Sequence, residues 1–98
     1  MSPYKFIINP EKKRFEMIVE GAMAVLYYDD FKPGVWVFNH VLVPEILKGK
    51  GIGSELLRQA LTFCREKGIK VIPECSFVEA FFRRYPEWQD LLIKHREE

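Results

Sequence analysis

Apolar and polar residues alternate through the first half of the chain, which is the pattern of strands with one buried face. The clearest case is the alternation of Phe15, Met17 and Val19 with neighbouring residues that are polar at Arg14, Glu16 and Glu20. Ile18 is the one apolar residue among these neighbours. The pattern predicts strands at Lys5–Asn9, Arg14–Glu20, Ala22–Tyr28 and Val35–Val43, with turns at Pro10–Lys13, Gly21 and Asp29–Gly34. Because these connections are short, we expect an antiparallel meander.

The hydrophobic period changes in the second half of the chain. From Ile52 onward the apolar residues follow the spacing of one helical face, at Ile52, Leu56, Leu57, Ala60, Leu61 and Cys64. Gly68 suits the position just after a helix, and Arg65 and Lys67 complement the negative end of the helix dipole. The pattern predicts a helix that begins at Ile52 and ends before Gly68.

A fifth strand is predicted at Ile69–Cys75, joined to the fourth through this helix by a right-handed parallel crossover. Ser76 and Glu79 match a capping box, which predicts a second helix through about Tyr85, followed by a short helix from Pro86. Five aromatic residues at helical spacing are expected to pack in the core: Phe77, Phe81, Phe82, Tyr85 and Trp88. The fold class is therefore α+β, with a mixed, mostly antiparallel five-stranded sheet.

Composition narrows the classes of protein that fit. The 98 residues have 48% hydrophobic content and suit one domain over residues 1–98. The formal charge of +1 lacks the basic excess of a nonspecific nucleic-acid binder. The two cysteines and two histidines do not have zinc-site spacing, so no metal is expected. We find no signal peptide or membrane span in the sequence, and we expect a cytoplasmic protein with reduced thiols.

A glycine-rich loop stands between the fourth strand and the first helix, with the sequence Lys48-Gly49-Lys50-Gly51-Ile52-Gly53. Glycines allow tight turning with N–H groups facing outward, and a helix N-terminus favours anions. The loop therefore indicates a phosphate cradle, although a simple turn would also use glycines here. It lacks the P-loop sequence, and its G-x-G-x-G spacing departs from the dinucleotide fingerprint. Glu74 nevertheless lies at about the distance of a ribose-binding acid, so that alternative stays open.

The same residues resemble the GNAT family of N-acetyltransferases, whose loop follows the pattern [QR]-x-x-G-x-[GA] after a central strand. Lys48-x-x-Gly51-x-Gly53 matches it, with Lys in place of Arg or Gln. The wider run is similar to the small stand-alone YjdJ-type branch, through His40 before Val43-Pro44, Pro73-x-Cys75-Ser76-Phe77-Val78 and Arg83-Arg84-Tyr85-Pro86-Glu87. The similarity extends from about Asn39 to the last residue.

The resemblance implies a fold, a co-substrate and a reaction. It implies a GNAT-like domain whose helix after the fourth strand binds acetyl-coenzyme A, and transfer of the acetyl group to an unidentified amine. The resemblance assigns contacts with the coenzyme to Leu42, Val43, Lys48, Gly49, Lys50, Gly51, Ile52, Gly53 and Ser54. Only Pro10–Lys13 separates the first two strands, where larger relatives place acceptor-binding helices, so we expect an open acceptor side.

Two residues are candidates for the chemistry. Cys75 directly precedes the second helix, whose dipole favours a thiolate, and the resemblance puts the branch's catalytic cysteine there. It would serve as a nucleophile through an acetyl-cysteine, or assist proton transfer during direct attack by the amine. His40 lies in the fourth strand and has the chemistry of a general base. Each also has a purely structural interpretation, Cys75 as a small buried residue and His40 as a hydrogen-bonding one.

Two alternative functions remain open on the sequence, together with the acceptor and the oligomeric state. A coenzyme A-binding or interaction module without catalysis would retain the fold and bind the coenzyme without turnover. A dinucleotide-binding protein would use Glu74. The acceptor would be a small molecule or a protein, and pairing of the exposed first strand between two copies would give a homodimer.

Overall fold

The structure is a computed structural model that describes residues 4–96. Its elements are β1 Lys5–Asn9, β2 Arg14–Val19, β3 Ala22–Lys32, β4 Val35–Leu42, a 3₁₀ turn Glu45–Leu47, α1 Ile52–Lys67, β5 Lys70–Pro73, α2 Ser76–Arg84 and a 3₁₀ helix Pro86–Leu91. The five strands form one sheet in sequence order. Strands β1 to β4 are antiparallel, and β5 runs parallel to β4. The α+β fold with a mixed sheet is confirmed.

One face of the sheet, here called the helix face, carries the core. Strand alternation places Phe15 and Met17 of β2 on this face, where both are fully buried. The buried side chains of α1 pack against them, including Leu57 and Leu61. Phe15 lies within 6.1 Å, between ring centroids, of the five aromatic rings of Phe6, Tyr28, Trp36, Phe38 and Phe63. The predicted apolar faces of β2 and α1 thus meet each other.

The predicted bounds of α1 are confirmed. Gly68 caps the helix in the left-handed conformation, with φ of 71°. The Gly68 N–H donates to the Arg65 carbonyl, and the Ile69 N–H donates to the Cys64 carbonyl at 2.8 Å. These bonds satisfy carbonyls that a helix end otherwise leaves without a partner.

Strand β3 is longer than predicted, and several other strand ends differ. The turn predicted at Asp29–Gly34 is wrong because Asp29 pairs with Val37 and Lys32 pairs with Val35, leaving only Pro33 and Gly34 in the turn. The end of β3 can hold the charged residues Asp30 and Lys32 because it is exposed to solvent at the rim of the sheet. Strands β2, β4 and β5 end at Val19, Leu42 and Pro73, before the predicted Glu20, Val43 and Cys75, and β5 begins at Lys70.

The start of α2 corrects two predictions. The N-cap is Cys75, with an extended backbone at φ of −140°, whereas Ser76 is already helical and no side chain caps the helix. The predicted capping box is therefore wrong. Phe77, predicted as a core residue, is 41% exposed because it occupies the outer side of the first turn. Phe81, Phe82 and Trp88 are buried as predicted, and Tyr85 is half-buried.

The opposite face of the sheet, here called the open face, is covered differently. The buried side chains of α1 and α2 join the core on the helix face. On the open face, Val35, Val37 and Ile72 form a small separate cluster, against which Ile93 packs. β1 lies at one edge of the sheet. Pairing of β1 between two copies stays a prediction.

Candidate functional site

Strands β4 and β5 pair over only part of β4. Their register runs from Val35 opposite Lys70 to Phe38 opposite Pro73, and the Glu74 N–H donates to the Phe38 carbonyl at 2.9 Å. Beyond this point β4 continues to Leu42, whereas the segment that follows β5 turns into α2. Within residues 4–96, the second half of β4 therefore pairs with β3 alone. The strands diverge there, and we call the gap between the end of β4 and the start of α2 the wedge.

A β-bulge lies where the wedge opens. Tyr27 pairs with His40 and Tyr28 pairs with Phe38, so Asn39 is an extra residue in β4. An extra residue reverses the alternation of the side chains that follow it. Phe38 joins the core on the helix face, whereas His40 is exposed on the open face. The His40 ring stacks on the Tyr27 ring with centroids 6.2 Å apart.

The glycine-rich loop leads into α1 through two glycines with left-handed backbone conformations. Gly49 and Gly51 have φ of 79° and 73°, values that side chains rarely adopt. The first hydrogen bond of α1 runs from the Glu55 N–H to the Gly51 carbonyl at 3.1 Å. The N–H groups of Ile52, Gly53 and Ser54 precede that bond and have no partner within the helix. These N–H groups point out of the N-terminus of α1, which is the positive end of the helix dipole and favours an anion such as phosphate.

A cavity of about 230 Å³ lies at this helix start. Its lining includes seven of the residues predicted to bind the coenzyme, which are Val43, Lys48, Gly49, Gly51, Ile52, Gly53 and Ser54, together with Leu47 and Phe77. Leu42 and Lys50 lie outside the lining. Leu42 follows His40 by two residues on the open face and is 49% exposed, so it borders the wedge instead of the cavity.

The two lysines of the loop are exposed and weakly held. Lys48 Nζ lies 3.7 Å from a Glu45 carboxylate oxygen, and Lys50 Nζ lies 3.5 Å from one of Glu20. Exposed pairs of this kind contribute little stability. Both ammonium groups are therefore free to turn toward a phosphate at the loop.

Phe77 forms a wall of the cavity that the sequence analysis missed. A Cβ added at Gly53 would stand 2.8 Å from Phe77 Cζ and 3.6 Å from Val43 Cγ2. Gly53 therefore brings the start of α1 against the start of α2. Hydrophobic periodicity gives no signal for this role, because an aromatic residue beside the buried Val78 is typical of a core position.

The two cysteines have different surroundings. Cys64 is fully buried on α1, as predicted, and burial raises the pKa of its thiol to about 12. Cys75 is half-buried, is a free thiol and lies at the N-cap of α2 beside the wedge. Within residues 4–96, no hydrogen bond joins the Cys75 thiol to the His40 imidazole. The two candidates flank the wedge without forming a preassembled Cys–His pair.

A hydrogen-bonded network on the open face leads to Tyr27, whose ring stacks on His40, and the sequence analysis did not predict it. Glu16 is only 6% exposed and accepts hydrogen bonds from Arg14 Nε at 2.6 Å and Asn9 Nδ2 at 2.9 Å. The Arg14 guanidinium holds the pKa of the Glu16 carboxyl below its usual range. Arg14 also donates to the Tyr27 hydroxyl at 3.1 Å, and Tyr27 stacks on His40. The strand register aligns four residues of β1 to β4 in one row: Asn9, Arg14, Tyr27 and His40. Only a correct assignment of this register could have revealed the network from the sequence.

Charged side chains lie on α2 and directly before it. Arg83 and Arg84 are exposed near the end of α2, and Arg84 lies 5.5 Å from the Tyr85 ring centroid. Both carboxylate oxygens of Glu74 accept hydrogen bonds from Arg96. β4, α1 and β5 form one parallel βαβ unit, whose helix the glycine loop opens. The rest of the sheet is antiparallel, whereas a dinucleotide-binding sheet is mostly parallel, and the G-x-G-x-G spacing departs from the fingerprint. These two differences disfavour the dinucleotide-binding alternative.

Two searches over the described residues gave negative results. Among residues 4–96, no group of three or more His, Cys, Asp or Glu side chains is placed to hold a metal ion. In the same part of the chain, no helix has the length and apolar character needed to cross a membrane.

Comparisons with known proteins agree with this geometry. The chain is similar to the proteins named NATD1 from Mus musculus, at 24% identity over 86% of this chain and 78% of the relative, and from Gallus gallus, at 26% identity over 78% and 71%. Its fold matches the solution structure of a GCN5-like protein from Staphylococcus aureus, proposed to be an N-acetyltransferase, with a TM-score of 0.73 and 25% identity over 98% of this chain and 96% of that one. The YjdJ-type branch stays a prediction. The model of the GCN5-related N-acetyltransferase family matches residues 14–91, and the chain belongs to that family.

Proposed function

We propose that this protein binds acetyl-coenzyme A and transfers the acetyl group to an amine. The observation that carries the proposal is that the cavity at the glycine loop is directly adjacent to the wedge. The anion cradle at the start of α1 and the diverging end of β4 meet at Val43, which lines the loop cavity and follows β4 directly. A ligand with phosphates at one end and an extended arm at the other fits this course.

The cradle supports binding of the pyrophosphate. The N–H groups of Ile52, Gly53 and Ser54 would donate to phosphate oxygens, and Lys48 and Lys50 would add positive charge. Gly49 and Gly51 would keep the loop free of side chains where the phosphates approach, since open space lies at both Cβ positions. The Phe77 ring would pack against the arm of the ligand at the entrance to the wedge.

The free edge of β4 supports binding of the pantetheine arm. His40–Leu42 pairs with β3 on one side, and its other side no longer meets β5. The amides of an extended arm can pair with such an edge as an added strand does. The thioester at the tip of the arm would then lie in the wedge, between the β-bulge and Cys75.

The residues beside the wedge would serve acetyl transfer as follows. The neutral amine attacks the thioester carbonyl carbon, a C–N bond forms, and the C–S bond breaks. His40 takes the proton that the amine loses, and Tyr27 and Arg14 hold its ring in place. Cys75 would return a proton to the departing thiolate, or attack first and carry the acetyl group itself.

A second candidate function is binding of the coenzyme without turnover. The observation that favours it is the absence of a hydrogen bond between His40 and Cys75 within the described part of the chain, since a preassembled nucleophile and base would show one. The two candidates differ in whether an acetylated product forms.

The test is an acetyl-transfer assay with spermidine, lysine and agmatine as amine acceptors, followed by mass spectrometry. Acetylated product should form with wild-type protein and decrease at least roughly tenfold in His40→Ala, within the usual range for loss of a general base. Lys5→Ala, at an exposed position on the same face of the sheet, is the matched control and should retain the wild-type rate. Tight binding of acetyl-coenzyme A with no product from these acceptors would favour the binding module.

A further inference from the structure

The guanidinium of Arg96 occupies a cation-binding site on the open face. Arg96 Nε and Nη2 donate to the two carboxylate oxygens of Glu74 at 2.7 and 2.9 Å. Arg96 Nη1 lies 3.4 Å from a carboxylate oxygen of Asp29, and its Cζ lies 5.2 Å from the centroid of the Phe31 ring. Two carboxylates and one aromatic ring are the groups that recognise a guanidinium or an alkylammonium.

This cation site borders the candidate chemistry. Asp29 follows Tyr27 by two residues in β3, so both side chains lie on the open face. Glu74 directly precedes Cys75, and its N–H is bonded to Phe38 beside the β-bulge. The site is therefore adjacent to the Tyr27–His40 stack and to the wedge.

The segment that carries Arg96 is attached to the sheet, but the guanidinium is replaceable. The Ile93 N–H donates to the Val71 carbonyl at 2.9 Å, which fixes the segment beside β5. The side chains of Arg96, Asp29 and Glu74 are 37%, 43% and 38% exposed. Ion pairs that solvent reaches contribute little to stability, so a cation from solution can compete for the same carboxylates.

We propose that Asp29, Phe31 and Glu74 form the subsite that anchors the acceptor, and that Arg96 fills it as an internal stand-in. The proposal rests on the proposed acetyl transfer and deepens it, because it names the acceptor class. The acceptor carries the reacting primary amine and a second, cationic group. The reacting amine must lose its charge before attack, whereas the second group keeps its charge and holds the acceptor beside His40.

The site itself can be tested without the coenzyme. The probe is agmatine, which has a guanidinium and a primary amine, and its control is N-carbamoylputrescine, in which a neutral urea replaces the guanidinium. Binding is followed through the backbone amide resonances of Phe31 and Glu74. Agmatine should bind Arg96→Ala roughly threefold more tightly than it binds the wild type, because an exposed ion pair is a weak competitor and Lys32 Nζ still lies 5.8 Å from the centroid of the Phe31 ring. N-carbamoylputrescine should not bind, and Glu74→Gln in the Arg96→Ala background should abolish binding of agmatine.

The matched control is Arg65→Ala. Arg65 also pairs with an acidic side chain, Asp90, and its Cζ lies 4.4 Å from the centroid of an aromatic ring, that of Trp88, but it lies on α1. Its removal should leave the affinity for agmatine unchanged. Equal affinity for agmatine in the wild type and Arg96→Ala, or equal binding of agmatine and its neutral analogue, would overturn the proposal.

The acceptor role is tested by turnover. In an assay with acetyl-coenzyme A, Arg96→Ala should lower the KM for agmatine roughly threefold with little change in kcat, and Glu74→Gln should raise the KM. Turnover of agmatine with an unchanged KM in both variants would overturn the acceptor role while leaving acetyl transfer intact. Agmatine that binds at Phe31 and Glu74 but gives no acetylated product with any variant would overturn the acceptor role. The absence of product from spermidine and lysine as well would contradict the proposed acetyl transfer and retain only the cation site.

Discussion

The two faces of the sheet are built on different principles. The helix face is a close-packed apolar core, with Phe15, Met17 and Leu26 fully buried beneath α1. The open face holds its residues by polar contacts, such as the Glu16–Arg14–Tyr27 network and the Arg96 cluster. Both candidate chemical groups lie where the faces meet, at the bulge and the wedge.

The difference separates stability from specificity. Burial of apolar area supplies most of the folding free energy, and here that area lies on the helix face. Only residues 10–13 separate β1 from β2, so no helix between these two strands covers the open face. Substitutions of buried residues on the helix face should therefore cost the most stability, whereas substitutions of exposed residues on the open face should mainly affect recognition and chemistry.

Truncation of the central core ring should have the largest effect on stability. Phe15→Ala removes a ring that is fully buried and surrounded by five others, and we expect a loss of about 3–5 kcal/mol in the free energy of unfolding. His40→Ala, on the open face, should change it by less than about 0.5 kcal/mol. Urea denaturation followed by circular dichroism measures both, and similar losses in the two variants would contradict the separation of the faces.

Thiol labelling compares the core with the rim of the wedge. Cys75 is half-buried, whereas Cys64 is fully buried with its pKa raised to about 12. Iodoacetamide should label Cys64 at least roughly a hundredfold more slowly than Cys75 at neutral pH, because Cys64 must wait for opening of the core. Peptide mapping distinguishes the sites, with Cys75→Ala as the control. Equal rates in the native protein would show that the core opens readily at α1.

A smaller effect should come from the buried carboxylate of the open face. The pKa of Glu16 is lowered in the folded state from its ordinary 4.5, chiefly by hydrogen bonds from Arg14 and Asn9. Its ionised form therefore stabilises the fold above about pH 4.5, and that contribution is lost as the pH falls through the lowered pKa. Glu16→Gln should cost about 1–3 kcal/mol at pH 7 and less at pH 3. Denaturation at both pH values measures this, and a pH-independent difference would contradict the assignment.

The sequence carries much of the fold because the relevant signals are local. Alternation in β2, the apolar stripe of α1 and Gly68 each depend on neighbours within a few residues, and all three are confirmed. The continuation of β3 through Asp29 to Lys32 depends on pairing with β4 across the sheet. Long-range pairing of this kind leaves no periodic trace in a charged segment.

The candidate site divides in the same way. The glycine loop was predictable because its residues are consecutive and its backbone adopts positive φ at positions that glycine occupies. The wall formed by Phe77 and the cation site formed by Asp29, Phe31 and Glu74 join residues that are distant in the sequence. The bulge at Asn39 decides which face His40 occupies, and a single extra residue has no signature in strand alternation.

Calorimetric titration with acetyl-coenzyme A, using two matched glycine variants, tests the proposed ligand of the loop most directly. Gly51 and Gly34 both have positive φ, 73° and 79°, and open space at the Cβ position, but only Gly51 lies in the cradle. Both Gly51→Glu and Gly34→Glu carry a similar backbone strain of about 1–2 kcal/mol. Wild type and Gly34→Glu should bind, and Gly51→Glu should bind at least roughly tenfold more weakly because its carboxylate repels the pyrophosphate. Equal affinity in the two glutamate variants, or no binding by the wild type at millimolar ligand, would contradict the coenzyme A site.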